Sequence, residues 1–121
     1  MNHRFSIAIQ LVGVLSVVAC ATPISIGGNT KAGDTLKSDT AKQVSMWARV
    51  ETKCERIDSI DTEVIAVNPA GTGNTEGSKK YGSINERWVV NLCGKSIPFS
   101  VTFTPDGQGG TFFSTSRETK K

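Results

Sequence analysis

The chain has 121 residues, which is enough for one small domain. It carries 14 Lys and Arg residues against 11 Asp and Glu residues, a formal net charge of +3. The only basic doublets, Lys79-Lys80 and Lys120-Lys121, are typical of a solvated loop and a chain end. This distribution excludes the clustered basic face that a nucleic-acid partner would require.

The N-terminus has the layout of a bacterial export signal. A short polar start with one basic side chain, Arg4, precedes an apolar run from Phe5 to Val18. As a helix this run would span about 21 Å, whereas the apolar core of a bilayer is about 30 Å thick. The run has the size of a signal-peptide core and is too short for a stable membrane span. We therefore predict a signal peptide over residues 1–19.

The residues Val17-Val18-Ala19-Cys20 close this run and resemble the bacterial lipobox, with Val17 where Leu is commoner. In that family the Cys thiol receives a diacylglyceryl group and becomes the new N-terminus. The resemblance implies a lipid anchor on Cys20. The residue after it is Ala21 and not Asp, which in a Gram-negative cell implies transfer to the outer membrane, facing the periplasm; the organism type stays open at this level. The alternative is ordinary signal cleavage before Thr22, which would release a soluble protein.

The next segments predict a tether and a helix. Residues 20–39 are rich in Thr, Ser, Gly, Lys and Asp without periodicity, which predicts a flexible, lipid-anchored tether. Thr40 to Lys53 has the Ala, Lys, Gln, Met and Glu content of a helix. Its residues Val44, Met46, Ala48 and Val50 also alternate as in a strand. We predict a helix here, with a strand as the alternative.

The rest of the chain predicts a small sheet. Ala70 to Gly82 is a Gly-rich stretch that predicts a long mobile loop, and Gly94-Lys95 predicts a tight turn. The predicted strands are Arg56 to Asn68, Ser83 to Cys93, Ile97 to Phe103 and Thr111 to Thr115. The expected fold is α+β over residues 40–121: an N-terminal helix packed on an antiparallel meander of about four strands, with one disulfide.

That disulfide would join Cys54 to Cys93. Two cysteines in an oxidising compartment usually pair, and a bridge between these two would pin the helix to the sheet. A catalytic thiol needs a base, and the only histidine, His3, lies in the predicted signal. A zinc site needs four ligands, and none flank these cysteines. Free thiols are the alternative.

The order of a helix, Cys54 and an Ile/Val-rich strand is followed by two further motifs, Arg87-Trp88-Val89-Val90-Asn91-Leu92-Cys93-Gly94 and Pro98-Phe99-Ser100-Val101. This arrangement resembles small exported bacterial proteins and lipoproteins of unassigned function. The resemblance covers Val44 to Phe103. It implies an exported protein with a disulfide, and it transfers no catalytic residue.

The one carboxylate cluster consists of Asp58, Asp61 and Glu63. Two carboxylates about 5 to 9 Å apart can cleave glycosides, but strand alternation places Asp58 on the face opposite the other two. We expect a solvated sheet edge there. No catalytic residue, metal site or cofactor is predicted, and Trp47 and Trp88 are predicted to belong to the core.

These observations predict a non-enzymatic lipoprotein of the cell envelope that acts by binding or as a structural element. The candidate partner-binding residues are Trp88, Lys79, Lys80 and Tyr81. The alternative function is a periplasmic inhibitor or immunity protein, which would block a wall-degrading enzyme through the loop from Pro69 to Gly82. The partner's identity and the oligomeric state stay open at this level.

Overall fold

The structure, a computed structural model, describes Gly13 and residues 23–119. The predicted signal peptide, apart from Gly13, and the predicted lipid site at Cys20 therefore lie outside the described residues. Among the residues it describes, no helix is both long and apolar enough to cross a membrane.

Within residues 23–119 the chain forms five strands and two helices. In chain order they are β1 Ser25–Gly28, α1 Asp34–Thr52, β2 Ser59–Asn68, α2 Glu76–Tyr81, β3 Ser83–Leu92, β4 Lys95–Pro105 and β5 Thr111–Arg117. The strands make one sheet in the order β1-β2-β3-β4-β5, in which β1 is parallel to β2 and the other pairs are antiparallel. The α+β class and the antiparallel meander are confirmed. The sheet has five strands and not four, and a strand precedes the helix.

The additional strand lies in the predicted tether. β1 pairs with β2, and the side chains of Ile24 and Ile26 pack against the core. Helix α1 begins at Asp34, well before the predicted start at Thr40. The prediction of a flexible segment is therefore wrong from Ser25 onward. The residues that order this segment lie far along the chain, and a local pattern does not reveal them.

Helix α1 follows a helical and not a strand-like burial pattern. Its buried residues are Thr40, Ala41, Val44, Ser45 and Ala48, which share one helix face. Met46 and Val50, which alternate with them in a strand register, are exposed. The helix ends at Lys53, which adopts a left-handed conformation with φ 55°.

The core lies between α1 and one face of the sheet. In β4 every second residue from Ile97 to Phe103 is buried, as the alternation predicts. The edge of the Trp88 ring meets Phe103, with ring centroids 6.5 Å apart. The opposite face of the sheet carries half-buried polar residues such as Asn85, Arg87 and Thr102.

The predicted disulfide between Cys54 and Cys93 is confirmed, with Cα atoms 6.4 Å apart. Cys93 and Gly94 form the β3–β4 turn, one residue before the predicted turn, and both have positive φ (46° and 70°). Two positive φ values suit a two-residue hairpin between right-twisted strands. We call this end of the sheet, where β1 also begins, the disulfide end. The opposite end, where β2 and β4 finish, is the distal end.

We predict that Cys93→Ser lowers the free energy of unfolding by up to about 4 kcal/mol, because the bridge closes a loop with a sequence separation of 39 residues. Urea unfolding of the oxidised protein measures the change. Cys54→Ser and the double variant should lose the same amount, since each removes the same cross-link. Two alkylatable thiols in the native protein, or additive losses in the double variant, would contradict this account.

Candidate functional site

The segment predicted to be a mobile loop contains the helix α2. The Thr75 hydroxyl accepts a hydrogen bond from the Ser78 backbone N–H, and the Ser78 hydroxyl accepts one from the Thr75 N–H, both at 3.1 Å. This reciprocal cap satisfies backbone donors that a short helix leaves unpaired. Gly82 ends the helix and donates to the Ser78 carbonyl at 2.9 Å. The prediction of a mobile loop is therefore wrong between Thr75 and Gly82.

Helix α2 presents Lys79, Lys80 and Tyr81 at the distal end. The Tyr81 ring lies against Gly107 in the β4–β5 turn, where an added Cβ would stand 2.3 Å from the ring. The Lys80 ammonium lies 5.3 Å from the centroid of the same ring, within the range of a cation–π contact. Lys79 pairs with Glu76 at 3.5 Å. Tyr81 is thus held in place while part of its ring stays exposed.

An apolar cleft lies beside α2, and we call it the distal cleft. It encloses about 340 Å³. Its lining residues are Lys31, Leu36, Val67, Asn68, Pro69, Tyr81, Ser83, Ile84, Phe103, Pro105 and Thr111. The walls are mostly aliphatic or aromatic, and the one cation among the lining residues is Lys31. Such a cleft can receive an apolar side chain of a partner, with polar contacts at its rim.

Trp88 does not contribute to this surface. It lies on the central strand β3 with none of its surface exposed, so it cannot contact a partner, and its predicted place in the core is confirmed. Trp47 differs from the prediction, since it is 51% exposed on α1. The helix turns its smaller residues, Ala41, Val44 and Ala48, toward the sheet instead.

Glu86 is a structural residue that the sequence reasoning missed. The residue is 1% exposed, and its carboxylate accepts hydrogen bonds from Trp88 Nε1, Thr30 Oγ1 and the Lys31 backbone N–H, each at 2.7 Å. Among the described residues it forms no ion pair, so these donors alone offset the cost of burying it. A signal was present in the sequence, because Glu86 occupies the same alternating face as Trp88 and Val90.

The Glu86 carboxylate also positions one wall of the distal cleft. Thr30 and Lys31 belong to the connection from β1 to α1, and Lys31 lines the cleft. A second tie comes from Thr62, whose hydroxyl accepts from the Thr30 N–H at 3.2 Å and donates to the Gly27 carbonyl at 2.8 Å. Side chains of β2 and β3 therefore hold this connection in place.

The carboxylate cluster does not form a joint site. Asp61 accepts from the Asn91 amide at 2.9 Å, Glu63 pairs with Arg87 at 3.6 Å, and Asp58 lies before β2 and pairs with Arg56. All three carboxylates are exposed, and none lines the distal cleft. Within residues 23–119, no three His, Cys, Asp or Glu side chains lie together as metal ligands.

A second groove, which we call the β5 groove, runs between α1 and β5 and encloses about 460 Å³. Its lining residues are Gln43, Trp47, Val50, Glu51, Phe99, Thr115, Ser116 and Arg117. Arg117 donates to both carboxylate oxygens of Glu51, at 2.8 and 3.2 Å. The hydrogen bond from Arg117 is the main cause of a lowered pKa at Glu51; slight burial opposes it, and the charges of Arg117 and Lys95 add to the lowering.

Compared with protein-family models, curated proteins and solved structures, the chain matches none of them. The resemblance to small exported lipoproteins, and the cellular address that it implies, therefore stay predictions.

We predict that Glu86→Gln lowers the free energy of unfolding by about 1–3 kcal/mol, the usual cost of leaving a buried polar group unpaired. The amide nitrogen cannot accept a hydrogen bond, so in either orientation the Trp88 or the Lys31 N–H loses its acceptor. Urea unfolding measures the loss, and hydrogen exchange should accelerate at whichever of the Lys31 amide and the Trp88 indole N–H faces the new amide nitrogen. The matched control is Glu63→Gln on the exposed face of β2, with a change within about 0.5 kcal/mol. Equal losses for the two variants would contradict this role for Glu86.

Proposed function

We propose that the chain is a non-catalytic binding protein of the bacterial cell envelope, held on the outer membrane by a lipid on Cys20. It engages an envelope protein through the distal cleft and α2. The observation that carries this proposal is the position of the cleft, which opens at the end of the sheet opposite to the place where the chain enters β1 at Ser25.

Chain length supports this orientation. Pro23 follows Cys20 by three residues, a reach of about 10 Å at most. Strands β2 and β3 have 10 residues each, which corresponds to a sheet about 33 Å long. A lipid on Cys20 would therefore hold the disulfide end near the headgroups and favour an orientation with the distal cleft about 30 Å away. No long tether is needed to expose the cleft.

The chemistry of the cleft favours a particular kind of partner segment. Its apolar walls suit one buried aliphatic or aromatic side chain. Lys31 lines the cleft, and Lys79 and Lys80 lie on α2 next to the lining residue Tyr81. Acidic residues beside the apolar side chain would complement these charges. Because α2 is already ordered by its cap, binding loses less conformational entropy than the ordering of a mobile loop would.

The ordered α2 also supports a second candidate, the inhibitor or immunity protein. An inhibitor needs a segment that keeps its shape when it meets an enzyme, and the Thr75–Ser78 cap supplies that rigidity here. The partner would then be an enzyme that degrades the cell wall. Protection of cells from such an enzyme, lost when Lys79 and Lys80 are replaced, would favour this candidate over a structural role.

For the anchor, we predict that the mature protein begins at Cys20, incorporates fatty acid and partitions into detergent. Two or three acyl chains, at about 0.8 kcal/mol per buried CH₂, hold a small domain on a membrane essentially permanently. Intact-mass spectrometry measures the modification. Cys20→Ser should abolish labelling while the Cys54–Cys93 bridge still forms. An unmodified chain beginning at Thr22 would contradict the anchor and leave a soluble periplasmic protein.

For the distal cleft, we predict that a photo-crosslinking amino acid at Val67 yields one discrete adduct in intact envelopes. Val67 lines the cleft and is 65% exposed. Ile65 is the matched control, because it lies on the same strand and is 51% exposed but does not line the cleft. The adduct should disappear when Lys79 and Lys80 are changed to Ala and persist when Lys42 and Lys95 are. Equal labelling from positions 65 and 67 would count against the cleft.

A further inference from the structure

Strand β5 leaves a long edge of the sheet unpaired among the described residues. It runs in unbroken antiparallel register with β4. At one end of this ladder the backbone N–H of Asp106 donates to the Gly110 carbonyl, and at the other end the backbone N–H of Glu118 donates to the Pro98 carbonyl, both at 3.0 Å. Along a strand, the backbone N–H and C=O groups of successive residues point alternately to one side and the other. Because Gly110 and Glu118 bond to β4, the odd-numbered residues of β5 point their N–H and C=O groups away from β4. These residues are Thr111, Phe113, Thr115 and Arg117.

This edge has little of the usual protection against a further strand. Natural edge strands carry Lys, Pro or bulges, or are very short. The other edge, β1, has only four residues and ends in Gly27-Gly28. β5 has seven residues with no Pro, no Lys and no register shift. Its one charged side chain, Arg117, turns toward α1 and pairs with Glu51. The β5 edge is therefore open to pairing.

The β5 groove extends this surface onto the helix. Trp47 and Val50 stand one turn apart on α1, are 51% and 66% exposed, and line the groove. Thr115 lines it from the strand side. A strand added to β5 would therefore place its own side chains, on the α1 side of the sheet, against Trp47 and Val50.

We propose that the occupant of this edge is β5 of a second copy of the chain, paired antiparallel about a two-fold axis. The two sheets then join into one sheet of ten strands, in which the disulfide end of each copy lies beside the distal end of the other. The upright orientation proposed above therefore applies to a single copy, and an anchored dimer would lie with its strands along the membrane. In such an arrangement the only remaining edges are the two short β1 strands. An unrelated peptide strand, in contrast, would cover β5 but leave its own far edge unpaired. A two-fold interface also requires no complementary surface beyond the one that β5 and α1 already present.

The spacing of the helices supports a second copy. α1 packs across β3 and β5, so its axis lies near β4. From β4 to the β4 of the partner there are three strand spacings of about 4.8 Å, or roughly 14 Å. Directly packed helices lie about 8–10 Å apart, so large side chains must fill the space between the two α1 helices. Trp47 and Val50 of both copies face that space.

The charges are compatible with this pairing. With Thr115 on the two-fold axis, Arg117 lies opposite the partner's Phe113, and Glu118 lies opposite the partner's Phe112. No like charges then face each other across the strands. The Arg117 guanidinium comes close to an aromatic ring, a favourable contact for a cation.

The test measures the mass of the full chain carrying Cys20→Ser, by light scattering and sedimentation over a range of concentrations. This substitution keeps lipid out of the measured mass, so the outcome does not depend on the proposed anchor. Thr115→Pro removes an N–H that points away from β4, which leaves the β4–β5 ladder complete. Trp47→Lys removes the apolar contact between the helices. Met46→Lys is the matched control, because Met46 is equally exposed on α1 but does not line the groove.

We expect the parent chain and Met46→Lys to be dimers. Thr115→Pro and Trp47→Lys should each raise the Kd at least about tenfold, as the loss of a central interface contact does. Circular dichroism and the intact Cys54–Cys93 bridge verify folding. If Thr115→Pro fails to fold, the dimerisation of Trp47→Lys decides the test. A monomeric parent at every concentration, or dimers that neither variant weakens, would overturn the proposal. A monomer that binds an extended peptide in the β5 groove would assign the edge to another chain.

Discussion

The buried carboxylate of Glu86 is the constraint on which the placement of the N-terminal segment depends. A carboxylate in a protein core is unfavourable unless its oxygens accept hydrogen bonds. Trp88 supplies one donor from the same strand, while Thr30 and Lys31 supply the other two from the connection before α1. The polar group therefore specifies where that connection must lie. Because β1 precedes this connection and α1 follows it, the hydrogen bonds to Glu86 also help to position both elements.

This arrangement gives the two ends of the sheet different properties. At the disulfide end, the Cys54–Cys93 bridge joins the segment after α1 to the β3–β4 turn, and β1 begins nearby. At the distal end, strands finish without such a covalent tie, and α2 with the connection through Lys31 forms the walls of a cleft. One end is cross-linked by the disulfide, and the other carries a concave, mostly apolar cleft.

The two edges of the sheet contrast in the same way. β1 is short, parallel to β2 and ends in two glycines, so it offers little to an incoming strand. β5 is longer and regular, and it stands beside exposed apolar side chains of α1. The small buried residues of α1 let the helix lie close to the sheet while Trp47 remains outside, which leaves an apolar side chain exposed beside β5. An interface at β5 would cover only one residue that lines the distal cleft, Thr111, and it would place each distal cleft beside the partner's disulfide end.

Local patterns in the sequence determined the antiparallel meander, the helical state of α1 and the cysteine pair. Alternation in β4 and the 3.6-residue stripe in α1 decide which faces are buried, and both are visible within a dozen residues. The tertiary structure alone decided that β1 joins β2, that Trp88 is buried while Trp47 is exposed, and that Lys31 meets the cleft beside α2. Each of these depends on residues that lie far apart in the chain, such as Thr30 and Glu86. Their contact exists only once the sheet has brought them together.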